Sequence, residues 1–278
     1  MKRLRDLAVN TAATLLLSVV AALTLIPLLV MFLGPFREHL DIINRGAIAL
    51  PTKWSPDTLI RVFAQFHFGL YLVNTIIVTA PTVVISLFFA IMCAFPLALM
   101  RFPLKRFILV VVTVIAIMIS EEFIMIPLFQ LIKILGLVNT FAAAILPQTA
   151  MSAAFSTLII WSFYLGLPRE MVDAALQDGA SSWQVLWRIY VPISTPAILT
   201  AATLTTVWTW NDYIIPLIML PSTRKATLPL GLTLFLGAHN IDIPMTMAGS
   251  LVTAVPMLIL FVVFQRHLVK GLTQGVVK

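Results

Sequence analysis

Charge is what this sequence has least of. Asp, Glu, Lys and Arg make up only 10% of its 278 residues, against 60% hydrophobic ones, where a soluble domain carries roughly 25% charged residues. There is too little polar material to coat a water-facing surface, so lipid must solvate most of the exterior. A single cysteine, Cys93, rules out an internal disulfide. The four histidines (His39, His67, His239, His267) are scattered without metal-ligand spacing. No Gly-x-x-x-x-Gly-Lys-Ser/Thr segment is present to cradle nucleotide phosphates, so no cofactor is expected in this chain. There is no internal repeat, no low-complexity tract, and no basic residue well inside an apolar run.

Those runs are what the chain has instead. A membrane-crossing helix needs about 20 mostly apolar residues. Uncharged stretches of that size occupy Leu7 to Arg37, Phe68 to Met100, Ile134 to Pro168, Tyr190 to Asn211 and Ile243 to Gln265. A sixth, Phe107 to Ile132, is interrupted only by Glu121 and Glu122. These predict an all-α integral membrane protein of six transmembrane helices, residues 1–278 forming one domain. The first run exceeds the about 7–15 apolar residues of a signal peptide, so a retained first helix is expected.

The net charge of +7 and pI near 9.9 reflect topology rather than nucleic-acid binding. Lys2, Arg3 and Arg5 precede the first run. Arg101, Lys105 and Arg106 follow the second, and Arg169 and Arg188 follow the fourth. Arg266, Lys270 and Lys278 follow the sixth. With alternating spans all fall on one face, which the positive-inside rule makes cytoplasmic. Both termini are therefore expected in the cytoplasm, with the protein in the inner (cytoplasmic) membrane. Arg37, Arg45, Lys53, Arg61, Lys133, Arg224 and Lys225 fall on the other face, where Glu38, Asp41 and Asp57 partly offset them.

Two connections carry information. The outer segment, about 36–68, holds Pro51 and Pro56 and then an amphipathic stretch from Asp57 to Phe66, with Leu59, Ile60, Val62 and Phe63 toward one side. This reads as a short interfacial helix. The cytoplasmic segment, about 166–192, is more specific. Pro168 and Glu170 suit the first turn of a helix, and Gly179 is a natural stop. Ser181 with Gln184 three residues on is a capping box that opens a second helix through Trp183, Leu186, Trp187 and Tyr190, and Pro192 marks the entry to the fifth span. Two short helices, one presenting Ala174 and Ala175, make a knuckle able to sit in a partner's groove. Geometry alone leaves open a plain amphipathic connector at the membrane surface.

The residues of this loop carry a resemblance. Asp173-Ala174-Ala175, Gly179 and Ile189-Tyr190-Val191-Pro192 resemble the EAA loop of binding-protein-dependent ABC importer permeases, whose pattern is Glu-Ala-Ala, three residues, Gly, nine residues, Ile-x-Leu-Pro. Spacing is kept; Asp173 stands for Glu and Val191 for Leu. The likeness runs nearly the full chain, to the shorter six-helix permease of carbohydrate importers of the maltose type. It includes Tyr71-Leu72-Val73-Asn74-Thr75, Ile126-Pro127-Leu128-Phe129, Leu135 to Thr140 and Ile145-Leu146-Pro147. Further on it includes Trp210-Asn211-Asp212-Tyr213, Thr227 to Leu232, Gln265-Arg266 and Gly271 to Lys278. Glu121 stands where that family has a proline ahead of the Glu matched by Glu122, which leaves open whether the third span kinks there.

The resemblance implies a type I ABC importer permease fold and a function in ATP-driven import of a carbohydrate or related polyol. It implies four kinds of partner: a second homologous permease, two ATP-binding cassette subunits that hold ATP and magnesium, an external solute-binding protein, and membrane lipid. It makes the loop containing Asp173, Ala174, Ala175, Gly179, Ile189 and Pro192 the ATPase-coupling element. No catalytic residue is expected. Carboxylates are expensive in a bilayer and usually face protein or water, so Glu121 and Glu122 are candidates to line the solute path. Trp208, Trp210, Asn211 and Asp212 are further candidates, because aromatic faces stack on sugar C–H surfaces and amide or carboxylate groups bond hydroxyls. The alternative for both sets is ordinary helix packing and an aromatic belt. The alternative is an ABC importer permease for a non-sugar solute such as a sugar phosphate; an ion-coupled carrier is a further rival, but the matched broken repeats of such proteins are absent. An intramembrane enzyme would need a clustered nucleophile and base.

Overall fold

In the computed structural model, residues 2–46, 48–100, 102–118, 120–238 and 242–274 are described. Arg101, His239, Lys278 and the motif tail 275–278 lie outside the described residues, as do the side chains of Lys2, Arg3, Arg5, Arg266, His267 and Lys270. Every regular element among the described residues is helical. The chain forms two compact units: residues 1–67 with 232–256, and residues 68–231 with 257–278.

The first unit holds α1 (Lys2–Leu33), a 3₁₀ turn (Gly34–Phe36), α2 (His39–Arg45) and α3 (Asp57–Gln65). Arg37 is its anchor. The fully buried guanidinium donates to the Asp41 carboxylate at 2.7 Å, the Asp41 carbonyl at 2.9 Å and the Gly46 carbonyl at 2.8 Å. That donor, with Arg45 behind it, holds the Asp41 carboxyl below the usual carboxylate range. Since the folded value is the lower one, this contribution is complete at neutral pH and is lost only as the pH falls through that range. In α3 the buried side is Thr58, Val62 and Phe66, while Ile60 and Phe63 stay exposed. The side formed by Leu59, Ile60, Val62 and Phe63 is thus divided, because the four-residue row through Val62 is the one that packs.

The second unit is built on α4 (Phe68–Leu99), α5 (Lys105–Ile117), α6 (Glu121–Ile134) and α7 (Phe141–Leu165). Val78, Thr82, Ser86, Ala90, Ala94 and Ala98 form a four-residue ladder down α4, each at most 1% exposed. Small side chains let α4 approach α7 closely, the packing that holds helices together where lipid removes the hydrophobic drive. The hydroxyls do not need a partner helix: Thr82 donates to its own helix at Val78 O, 2.8 Å away. Trp161 of α7 donates its indole N–H to Leu97 O at 3.2 Å, capping a carbonyl left free where α4 ends.

Two of the motif stretches meet in one clasp. Asn74 donates to Arg224 O and Ala226 O, both at 2.9 Å, and Thr75 Oγ1 accepts from Leu228 N at 2.8 Å. Gly231 lies on the Tyr71 ring, where an added Cβ would come within 2.4 Å of Cδ2. Gly231→Leu is therefore expected to destabilise by about 1–3 kcal/mol through overpacking. A lower midpoint in a thermal scan of the detergent-solubilised protein checks it, and an unchanged midpoint contradicts it.

Among the described residues, three helices are long and apolar enough to cross a membrane, Ala13–Phe36, Phe68–Leu99 and Phe141–Leu165. A fourth is reached if a bent pair counts as one, namely α9 (Ser182–Ile193) with α10 (Thr195–Asn211), at 75°. The third expected run is split into α5 and α6 around Met118–Ser120 without any proline at the break. Ser120 is extended (φ −82°, ψ 144°), and Glu121 and Glu122 in the first turn favour a helix start there. Beyond α10 come α11 (Ile214–Met219), α12 (Leu228–Ala238) and α13 (Ile243–Gln274).

Candidate functional site

The knuckle between the fourth and fifth runs takes the form its capping residues dictate. Helix α8 (Glu170–Gln177) ends with Gly179 at φ +82°. Gly179 N donates to Leu176 O at 3.1 Å and Ala180 N to Ala175 O at 2.9 Å, the paired bonds of a Schellman stop. Ser181 then accepts from Gln184 N at 3.3 Å while Gln184 Oε1 accepts from Ser181 N at 2.8 Å, starting α9. Asp173, Ala174, Gly179 and Pro192 are exposed, and Ala175 and Ile189 are half-buried. A groove of about 270 Å³ lies along the turn, with Asp178, Ala180, Gln184 and Arg188 in its walls.

Behind this exposed rim is a rigid joint. Tyr190 and Tyr164 are 0% and 1% exposed. Their rings meet edge-on at 5.1 Å, and Phe95 of α4 meets Tyr190 at 5.4 Å, also edge-on. These three, with Ala90, Ala94, Val185 and Leu186, form one core onto which Val172, Ala175 and Ala180 pack. The knuckle is thereby tied to α4 and α7 by side chains as well as by the chain.

Beyond it α9 does not run straight into the fifth span. Pro192 cannot donate to Arg188 O and its ring crowds that carbonyl, and the turn ahead of it widens into a π-turn over Leu186–Tyr190. Pro196 likewise cannot give Pro192 O its helical amide, and Thr195 Oγ1 donates there at 2.8 Å. Ser194 Oγ donates to Tyr190 O at 2.7 Å. The bend thus sits at Ser194, whose backbone N–H and hydroxyl both donate to Tyr190 O.

A second site lies among α5, α6, α7 and α10, a cavity of about 120 Å³. Glu121 reaches it from the first turn of α6. Gln148, Ser152 and Phe155 come from α7, and Trp208, Thr209 and Asp212 from the end of α10. Asp212 Oδ1 accepts from Ile214 N at 3.0 Å and Ile215 N at 3.3 Å, and its other oxygen accepts from the Gln148 amide. Phe155 and Trp208 stack edge-on at 4.6 Å.

Of the six residues expected to line a path, the cavity gathers Glu121, Trp208 and Asp212. Glu122 points away and accepts from the Ser120 hydroxyl, so it serves the helix start. Trp210 is 5% exposed and packed elsewhere, and Asn211 donates back to Val207 O at 2.7 Å. Sequence reasoning missed Gln148, Ser152 and Thr209. The signal for Gln148 was an amide directly after Pro147 within an apolar run.

Residues 69–273 match the family described as binding-protein-dependent transport system inner membrane component. The arabinooligosaccharides transport system permease protein AraQ of Halalkalibacterium halodurans is 34% identical over 283 residues, covering 100% of both chains. The trehalose/maltose transport system permease protein MalG of Thermococcus litoralis is 30% identical over 263 residues, 93% of each. Among solved structures, a chain of a bacterial ABC transporter involved in the import of the acidic polysaccharide alginate superposes with a TM-score of 0.79. It is 22% identical, and the alignment covers 94% of this chain and 96% of that one, which places the two in one fold.

Proposed function

The chain belongs to the family of binding-protein-dependent transport system inner membrane components, and we propose from that premise that its solute is a carbohydrate or related polyol. As a permease subunit of an ABC importer it is not itself an enzyme. The observation that carries the carbohydrate reading is end-to-end likeness to permeases whose names specify arabinooligosaccharides and trehalose or maltose. In this reading an external binding protein delivers the solute, and a second, homologous permease completes the pathway, since six helices enclose a polar channel poorly.

The six spans are α1, α4, the broken pair α5–α6, α7, the bent pair α9–α10, and α13. Both termini face the cytoplasm of a cell whose inner membrane holds the protein. On that face α8 and α9 dock on one of two ATP-binding cassette subunits, which hold ATP and magnesium. Asp173, Ala174, Ala175 and Gly179 meet the ATPase at the rim, and Ile189 and Pro192 lead into the span that follows its motion. Support comes from the chemistry of the knuckle: small exposed side chains, a rigid turn, and an aromatic joint to two spans.

The test is reconstitution with the second permease, the ATPase and the binding protein in proteoliposomes. Uptake of labelled arabinotriose or maltose is expected with ATP inside and none without it. Uptake that proceeds without nucleotide overturns the importer reading. Labelling of a Ser181→Cys thiol by an impermeant reagent from outside intact cells overturns the orientation.

A further inference from the structure

We infer that the cavity containing Glu121, Gln148, Thr209 and Asp212 is a solute-contact site of this chain, built for a neutral polyhydroxylated solute and closed to anionic sugars. The inference rests on the reading of the chain as a carbohydrate permease and adds which solutes its own side chains admit.

Two acidic side chains alone would not make a site. Two buried oxygens do more. Gln148 is 4% exposed and Thr209 6%, both line the cavity, and Gln148 Oε1 and Thr209 Oγ1 have no hydrogen-bond partner. Buried polar atoms are nearly always paired, and an unpaired one is unfavourable until a donor arrives. The Gln148 amide is already committed to Asp212, so the oxygen left over can only accept. Hydroxyl groups supply the missing donors, as do the waters they displace. The exposed Trp208 ring in the same wall offers an apolar face to sugar C–H groups.

Charge sets the class. None of the residues lining the cavity is Lys or Arg, while Glu121 and Asp212 both face it. Asp212 is fixed by two backbone amides and the Gln148 side chain, so it cannot swing away to make room. A carboxylate, sulfate or phosphate on the solute meets the Asp212 carboxylate, whose ionised form these N–H donors favour, at short range in a site shielded from bulk water. Nothing there offers a compensating cation.

The charge is read without transport in the complete complex in native membranes. A Cys93→Ser, Met151→Cys chain places one thiol in the cavity wall. Its labelling rates with cationic methanethiosulfonate ethyltrimethylammonium and anionic methanethiosulfonate ethylsulfonate are each normalised to a free thiol in solution. The cationic reagent is expected to react at least about tenfold faster, and Asp212→Asn to lower that ratio at least about threefold. Asn keeps the oxygen that caps α11. A ratio near one, or one that Asp212→Asn does not move, overturns the inference. The hydroxyl contact is read with Thr209→Val. Uptake of arabinotriose or maltose at a fixed concentration is expected to fall at least about fivefold with an unchanged thermal midpoint, since an unpaired hydroxyl contributes nothing to the resting fold. Undiminished uptake, or a lowered midpoint, overturns it. If the wild type carries neither sugar with ATP, it is the carbohydrate reading that has failed, and the labelling ratio still tests the charge of the cavity on its own.

Discussion

Replacing Gly179 by valine is expected to leave the protein in the membrane and to cut ATP-driven uptake by roughly tenfold. Gly179 sits at φ +82° with no atom within 4 Å of an added Cβ, so the expected effect is the conformational one. A branched side chain in the left-handed region costs about 1–2 kcal/mol, a factor of about 5–30 in the population of the turn. The turn fixes the angle between α8 and α9, and with it the surface that the proposed docking offers to the ATPase. Gly179→Asn, which tolerates this conformation, should restore most of the uptake. Equal uptake by the valine variant and wild type, in proteoliposomes with equal amounts of complex, would show that the angle does not matter.

An effect of similar size is expected at the joint. Tyr190→Ala removes a ring that is 0% exposed and touches both Phe95 and Tyr164. Deleting a large buried aromatic side chain costs about 3–5 kcal/mol, here concentrated where the knuckle meets α4 and α7. Uptake should fall below detection and the thermal midpoint should drop by several degrees, while under the proposed docking an ATPase subunit still binds the exposed rim. Tyr190→Phe separates ring from hydroxyl. The Tyr190 hydroxyl is buried with no hydrogen-bond partner, so its removal should be neutral or slightly stabilising. A phenylalanine variant as damaged as the alanine one would refute the view that packing carries the joint.

What the sequence revealed and what it hid divide along a physical line. The stop at Gly179 and the capping box of Ser181 and Gln184 were legible because a cap is closed by residues three or four apart in the chain. The bend at Ser194 was only half legible. Pro192 and Pro196 announce lost hydrogen bonds, but a lost bond does not state the size of the bend, 75° here. The break before Glu121 was left undecided because helix kinks are read from proline, and here an extended serine and two acidic residues do the same. Within Trp208 to Asp212, the side chains split between cavity, core and self-capping, a division set by α7, more than fifty positions away. Gln148 belongs to the same class: its partner Asp212 is 64 residues distant, and no local pattern marks such a pair.

The ladder of small side chains down α4 has a consequence for how this bundle keeps its alignment. A surface that repeats every four residues fits its neighbour almost equally well after sliding about 6 Å along the axis, so the seam fixes closeness and leaves position undetermined. Position must come from contacts that do not repeat: the Trp161 indole on Leu97 O and the Asn74 amide on Arg224 O and Ala226 O. The two ends of α4 act as pegs, and the long smooth middle between them as a slide.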